Sequence, residues 1–178
     1  TLIWGDKPIV KKEIRQSKDQ VLSSRLYKRE KVQDCYNELT LIFKGGFGLI
    51  LRAYDDGCAY RFVSQQKSEL VVMNECADFQ FSKDYSSVIA YSNSKKEDLS
   101  AQYFCSFENT YERKLLSKQN PSRLAFLPLM VELDHGKKLN ITEANLEDYP
   151  GMFLLPQAPK TAFKAMMAQV PDKTEQGG

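Results

Sequence analysis

The feature that most limits what this chain can become is a pair of β-rich runs separated by three turn residues. Leu49 to Tyr54 is apolar apart from Arg52, Cys58 to Val63 carries Tyr60 and Phe62, and Asp55-Asp56-Gly57 stands between them. Asp-Gly between such runs predicts a hairpin, because glycine takes positive φ at no steric cost. Just upstream, Leu39, Leu41 and Phe43 share one face at period two, and Gly45-Gly46 ends that strand. The pattern continues along the chain. Leu70-Val71-Val72-Met73 and Phe79-Gln80-Phe81 read as short strands, and Ala101 to Phe107 alternates polar and aromatic residues. Arg123 to Leu133 is a long apolar segment whose Pro128 marks an edge position or a bulge. Asp134-His135-Gly136-Lys137 is the turn after it, with Leu139 to Thr142 returning.

Recurrent turns with little helical periodicity point to an all-β, mainly antiparallel sandwich. Two stretches dissent. Asn93 to Ser100 is rich in Lys and Glu and fits a helical turn, and propensity alone makes Thr161 to Gln169 a helix. No linker or repeat divides the 178 residues, so residues 1–178 are expected to form a single β-sandwich domain. Ten Phe, nine Tyr and one Trp supply material for a core, which argues against disorder.

Charge and composition exclude several functions. A formal net charge of +2 gives no strong field for nucleic acid or an anionic membrane. No apolar run approaches a membrane span, so membrane insertion is not expected. Residues 11–34 hold eight basic and four acidic side chains, interspersed as on solvated strands and loops. The chain opens on Thr1 without a signal-like run, and is expected to be a processed or trimmed piece. With one histidine, a catalytic triad has only His135 to use, and a multi-histidine zinc site is impossible. Cys35, Cys58, Cys76 and Cys105 form no CxxC pair and are expected to be free, largely buried thiols.

The densest polar segment runs from Ile141 to Phe153, a strand entering an acidic loop closed by Tyr149-Pro150-Gly151. Glu143, Glu147, Asp148 and the Asn145 carbonyl are hard oxygen donors of the kind calcium takes, but the spacing is not that of an EF-hand, and spacing alone favours a plain acidic surface loop. Asp55 and Asp56 are accounted for by the hairpin rather than by an acid/base pair. Tyr36-Asn37-Glu38, at a strand entry, lines a site or simply starts the strand. Tyr103, Phe104, Phe107 and Tyr111 are either a sugar-stacking platform or an aromatic stripe of the sheet.

Taken together, Tyr36-Asn37-Glu38-Leu39, the run from Arg52 to Phe62, the run from Ile141 to Met152 and, more weakly, Thr174 to Gly178 resemble, in order and spacing, the amino-terminal domain of glycoside hydrolase family 97. The resemblance spans about Trp4 to the end, with Cys58 where a residue such as Val is usual. Known members are α-glucosidases and α-galactosidases, typically of gut Bacteroides-type bacteria. The resemblance implies a β-super-sandwich, galactose-mutarotase-like, in which residues 161–169 form a strand. It implies that the catalytic carboxylates lie in a following (β/α)8 barrel, so this chain carries no catalytic residue and is expected to be inert alone and incomplete at both ends. Glu143 matches the glutamate that reaches a calcium ion shared with the barrel. Asn37, Glu38, Asn145 and Tyr149 are the candidates for framing the pocket of an oligosaccharide substrate. A periplasmic or secreted location is implied by family, and no nucleic-acid partner is expected. The alternatives are a free-standing carbohydrate-binding or protein-interaction sandwich using Tyr103, Phe104 and Tyr111, and a self-contained glycosidase with two carboxylates about 5–10 Å apart.

Overall fold

The computed structural model describes residues 3–26, 28–94, 96–147 and 149–168. The fourth matched block and Asp148 lie outside them. The chain divides into two compact units, Thr1–Val71 and Val72–Gly178. Every strand pairing among the described residues is antiparallel, so the class is all-β, as expected of a β-sandwich.

The first unit is a four-stranded meander of β1 (Val10–Ser23), β2 (Lys31–Phe43), β3 (Phe47–Ala53) and β4 (Cys58–Ser64), in that order across the sheet. β1 is exposed throughout, as its charge pattern requires. β2 begins at Lys31, well before the expected entry at Tyr36, because it pairs with β1 from Ser23↔Lys31 onward. β3 joins only at Asn37↔Ala53, so residues 18–23 and 31–36 form a two-stranded ribbon. The predicted hairpin joins β3 to β4 across Tyr54–Gly57, closed by the Tyr54 amide donating to the Gly57 carbonyl at 2.8 Å. Its turn differs from the expected one: among the described glycines positive φ occurs at Gly5, Gly45, Gly46 and Gly136 but not at Gly57. Four loop residues are enough to turn the chain with ordinary φ.

The second unit is a seven-stranded sheet. Its main path runs β5 (Asp78–Gln80), β11 (Ala162–Met167), β10 (Met152–Pro156), β8 (Ala125–Glu132), β6 (Ser86–Tyr91) and β7 (Glu112–Leu115), and β9 (Lys138–Ile141) pairs with β8. Residues 162–167 are thus a strand, as the resemblance implied and propensity did not. Pairing with β10 and β5 overrides local helix preference there. β8 is interior, so Pro128 does not mark an edge strand. It marks a bulge: the β6 register shifts between Val88 and Ala90, and on the other flank β8 pairs with β10 at Ala125-Phe126 but with β9 from Leu129. Pro128 has no N–H to place in a ladder, and it falls where the partners change.

Both faces of this sheet are apolar. Ile89, Tyr91, Ala125, Leu129, Val131, Leu154 and Phe163 build one cluster, and Ala90, Leu124, Phe126 and Phe153 the other. The second face explains why residues 101–107 are not a strand. A short helix α1 (Leu99–Gln102), capped by Asp98, and the coil after it bring Tyr103 edge-on to Phe153 at 5.1 Å and stack Phe107 on the same ring at 5.9 Å. The helical turn falls slightly later than the expected 93–100. Leu70 to Met73 is also not a strand among the described residues; it is exposed and joins no ladder. No helix among the described residues is long and apolar enough to cross a membrane.

Candidate functional site

The polar loop between β9 and β10 is shaped by its own side chains. Glu143 turns back on the loop end, and its Oε2 accepts the Met152 backbone N–H at 2.9 Å. Asn145 takes a left-handed φ of 55°, which Asn tolerates better than most residues and which bends the loop between these two points. At the far end, the Ala168 amide donates to the Gly151 carbonyl at 3.0 Å, tying the loop exit to the strand end of β11. Tyr149 donates its hydroxyl to Oε2 of Glu75 at 2.7 Å. Burial, that carboxylate and the charge of Glu143 all push the Tyr149 phenol above its ordinary value, in that order. The phenol is therefore a permanent donor at any physiological pH.

Glu143 is half-buried and joins no ion pair among the described residues. A carboxylate held by one oxygen and lacking a cationic partner suits a hard divalent cation as one ligand among several. It does not suffice alone. No group of three His, Cys, Asp or Glu side chains among the described residues is placed to hold a metal ion. Glu143 thus suits one position of such a shell, and the described residues do not complete it. Glu147 is exposed on the same loop.

The other two candidates, Asn37 and Glu38, are neighbours on β2 and so point to opposite faces. Asn37 is exposed and accepts from Ser17 Oγ at 2.6 Å. It lines a shallow groove of about 230 Å³ with Ser17, Asp19, Cys35 and Tyr36. Glu38 is buried at 7% exposure, receiving Arg52 Nε at 2.7 Å and Gln16 Nε2 at 2.5 Å. The hydrogen bond from Arg52 leads the effects that hold its carboxyl below the ordinary value. Glu38 is thus committed to a fixed ion pair, and Asn37 is the member of this pair with an open surface.

The remaining candidates are quickly placed. Asp55 and Asp56 are in the hairpin loop, and His135 occupies an exposed turn at φ 59°. All four cysteines are free, as expected, but Cys35, Cys58 and Cys76 are exposed and Cys105 only half-buried, contrary to the expectation of buried thiols. Cys35 and Cys58 sit at solvent-facing strand positions, Cys76 in open coil. Phe104 and Tyr111 are exposed, whereas Tyr103 and Phe107 pack on Phe153. The aromatic segment is therefore half core cover and half surface. Sequence reasoning passed over Glu75, because its partner lies 74 residues away and no local spacing links them.

Residues 3–173 match the family profile described as Glycosyl-hydrolase 97 N-terminal. The chain belongs to this family. A retaining α-galactosidase of Bacteroides thetaiotaomicron is 41% identical to this family 97 chain over 177 residues, which is 99% of the chain and 27% of that protein. Among solved structures, a glycoside hydrolase family 97 enzyme from Pseudoalteromonas sp. strain K8, in complex with acarbose, superposes with a TM-score of 0.71 at 21% identity, over 91% of this chain and 24% of that one. A β-arabinopyranosidase superposes at 0.69 with 16% identity, over 90% of this chain and 27% of that one. At these identities the superpositions speak for the fold. The family 97 chain spans about a quarter of the length of the relatives it matches.

Proposed function

We propose that this chain is the amino-terminal, non-catalytic domain of a retaining α-galactosidase of family 97. The observation that carries the reading is the 41% identity to the Bacteroides thetaiotaomicron enzyme across almost the whole chain. In this reading the domain packs on a catalytic (β/α)8 barrel of the same polypeptide, which takes an α-galactoside and supplies the two carboxylates of the retaining reaction. Asn145 and Tyr149 are candidates for framing the sugar pocket from the second unit, and Asn37, with Glu38 acting through the ion pair it makes, is a separate candidate on the first. Glu143 would join barrel carboxylates around calcium. A bound calcium ion would orient substrate and stabilise charge that develops at the scissile bond. The part of this chain is to hold the Glu143 carboxylate in place, which the Met152 amide does through one of its oxygens. A periplasmic or secreted location belongs to the same reading.

The test is hydrolysis of α-galactosides and α-glucosides by the intact gene product and by the 178-residue chain, with calcium and with chelator. The expected result is galactosidase activity in the intact product only, lost with chelator and strongly reduced in Glu143→Gln. The isolated chain should bind calcium only weakly. Hydrolysis by that chain itself, or micromolar calcium binding by it in calorimetry, would overturn the assignment.

A further inference from the structure

We infer that Glu75 is a positioning residue which, by accepting the Tyr149 hydroxyl, holds the loop that presents Glu143. The inference rests on the calcium reading of Glu143 only for its functional meaning; the clasp itself stands on geometry.

The loop between β9 and β10 covers ten residues, 142–151, and those of them that are described have no regular structure of their own. Glu143 and Gly151 fix its two ends, through the Met152 amide and the Ala168 amide. Between those ends, Tyr149 ties the loop to Glu75 at 2.7 Å. Glu75 is itself carried on an anchored segment: two residues on, the Ala77 carbonyl accepts the Ala165 amide at 2.7 Å, and β5 then pairs with β11 from Lys164↔Asp78. Because β11 pairs in turn with β10, where the Met152 amide donates to Glu143, the clasp closes a ring of contacts. The ring runs Glu143, Met152, β10, β11, Ala77, Glu75, Tyr149 and back along the loop. Glu143 and Tyr149 sit at the two ends of one short stretch of that ring. A phenol donating to a carboxylate is a charge-assisted bond, stronger than a neutral one. Partners of metal ligands that act from behind them fix ligand orientation.

The experiment uses the intact gene product with Tyr149→Phe, Glu75→Ala, Glu75→Gln and Glu143→Gln. Calcium chloride is titrated calorimetrically into chelator-treated protein, and amide hydrogen exchange is followed over residues 142–152. Tyr149→Phe and Glu75→Ala are expected to weaken calcium binding about tenfold, the lower end of what loss of an outer partner costs. Both should speed exchange in the loop at unchanged melting temperature. Glu75→Gln keeps a carbonyl acceptor and should restore both properties to near wild type. Wild-type binding and wild-type exchange in Tyr149→Phe would overturn the assignment. So would a fall in melting temperature that Glu75→Gln shares, since the bond would then be an ordinary fold contact. If Glu143→Gln leaves calcium binding intact, the calcium reading fails on its own. Exchange then decides the clasp: faster in Tyr149→Phe and Glu75→Ala but not Glu75→Gln supports it, and unchanged exchange overturns it.

Discussion

Arg52 donates from Nε to Oε2 of Glu38 at 2.7 Å while its guanidinium carbon stands 4.3 Å over the centre of the Tyr36 ring. Three residues of two sequence blocks thus form one unit across the β2–β3 pair, in which Glu38 lies opposite Arg52 in the register. Burying a carboxylate this deeply is tolerated because its partner is in place.

Arg52→Met should therefore destabilise the first unit by about 1–3 kcal/mol near neutral pH. That is below the full cost of orphaning a buried charge, because the Arg52 side chain is 41% exposed and solvent screens part of the interaction. The pH dependence has a definite sign. The Glu38 carboxyl is held below its ordinary 4.5, so the pair contributes stability above that pH and loses it as pH falls through the lower folded value. Urea denaturation of both proteins at neutral and acid pH should show the gap between them closing below pH 4.5.

Gly48 and Gly57 should respond oppositely to alanine. A Cβ on Gly48 would lie 2.9 Å from the Leu41 carbonyl oxygen and 3.1 Å from a Val63 methyl, and the backbone oxygen cannot move aside. Gly48→Ala should cost about 1–3 kcal/mol by overpacking. Gly57 has nothing within 4 Å and no positive φ, so Gly57→Ala should be neutral or stabilise by about 0.4–1 kcal/mol. Denaturation midpoints of the two variants check both statements.

The buried Tyr91 hydroxyl donates to Gln119 Oε1 and accepts the Asn120 amide, each at 2.7 Å, and Gln119 passes the chain on to Ser87 at 2.8 Å. Tyr91→Phe strands an amide and a carbonyl, at about 1–3 kcal/mol. Burial pushes the phenol up from 10 to about 12. A raised value means stability is fully present below pH 10 and declines as pH rises toward 12. Denaturation between neutral and alkaline pH should show that decline in wild type and its loss in Tyr91→Phe.

Phe104 and Phe107 separate surface from core within one aromatic segment. Phe107 lies 5.5 Å edge-on from Phe126 as well as against Phe153, despite being 63% exposed. Phe107→Ala should cost about 1–2 kcal/mol, less than the 3–5 kcal/mol of a fully buried aromatic. Phe104→Ala should leave stability within about 0.5 kcal/mol. Thermal melts decide this, and a galacto-oligosaccharide titration of Phe104→Ala tests at once whether the exposed rings bind sugar.

Much of this was legible in the sequence where neighbours along the chain decide the outcome. The turn at Asp134–Lys137 and the bulge at Pro128 follow from local turn and donor chemistry, and the hairpin at Tyr54–Gly57 forms where its flanking runs place it although Gly57 lacks the expected positive φ. Residues 162–167 were not legible from propensity, since partners on both sides make that strand. Residues 101–107 alternate like a strand yet cover a face, because the demand for cover comes from Phe126 and Phe153, and no local pattern carries it. Glu38 and Asn37 are adjacent in sequence and unlike in fate, the one fixed by Arg52 and the other facing Ser17. The Glu143 loop was legible as a polar segment, but its bond to Met152 and the tie to Glu75 belong to three-dimensional closure alone.

The ribbon of residues 18–23 and 31–36 has a further consequence. Its outer rims carry backbone groups that no third strand takes up among the described residues, the geometry that invites one molecule to add itself to the next. Lys18, Asp19, Lys31 and Asp34 stand along it, and stacking two copies in register would set like charges side by side. The mixed basic and acidic composition of this arm, uninformative as a binding signal, is the kind of charge that blunts an exposed strand edge.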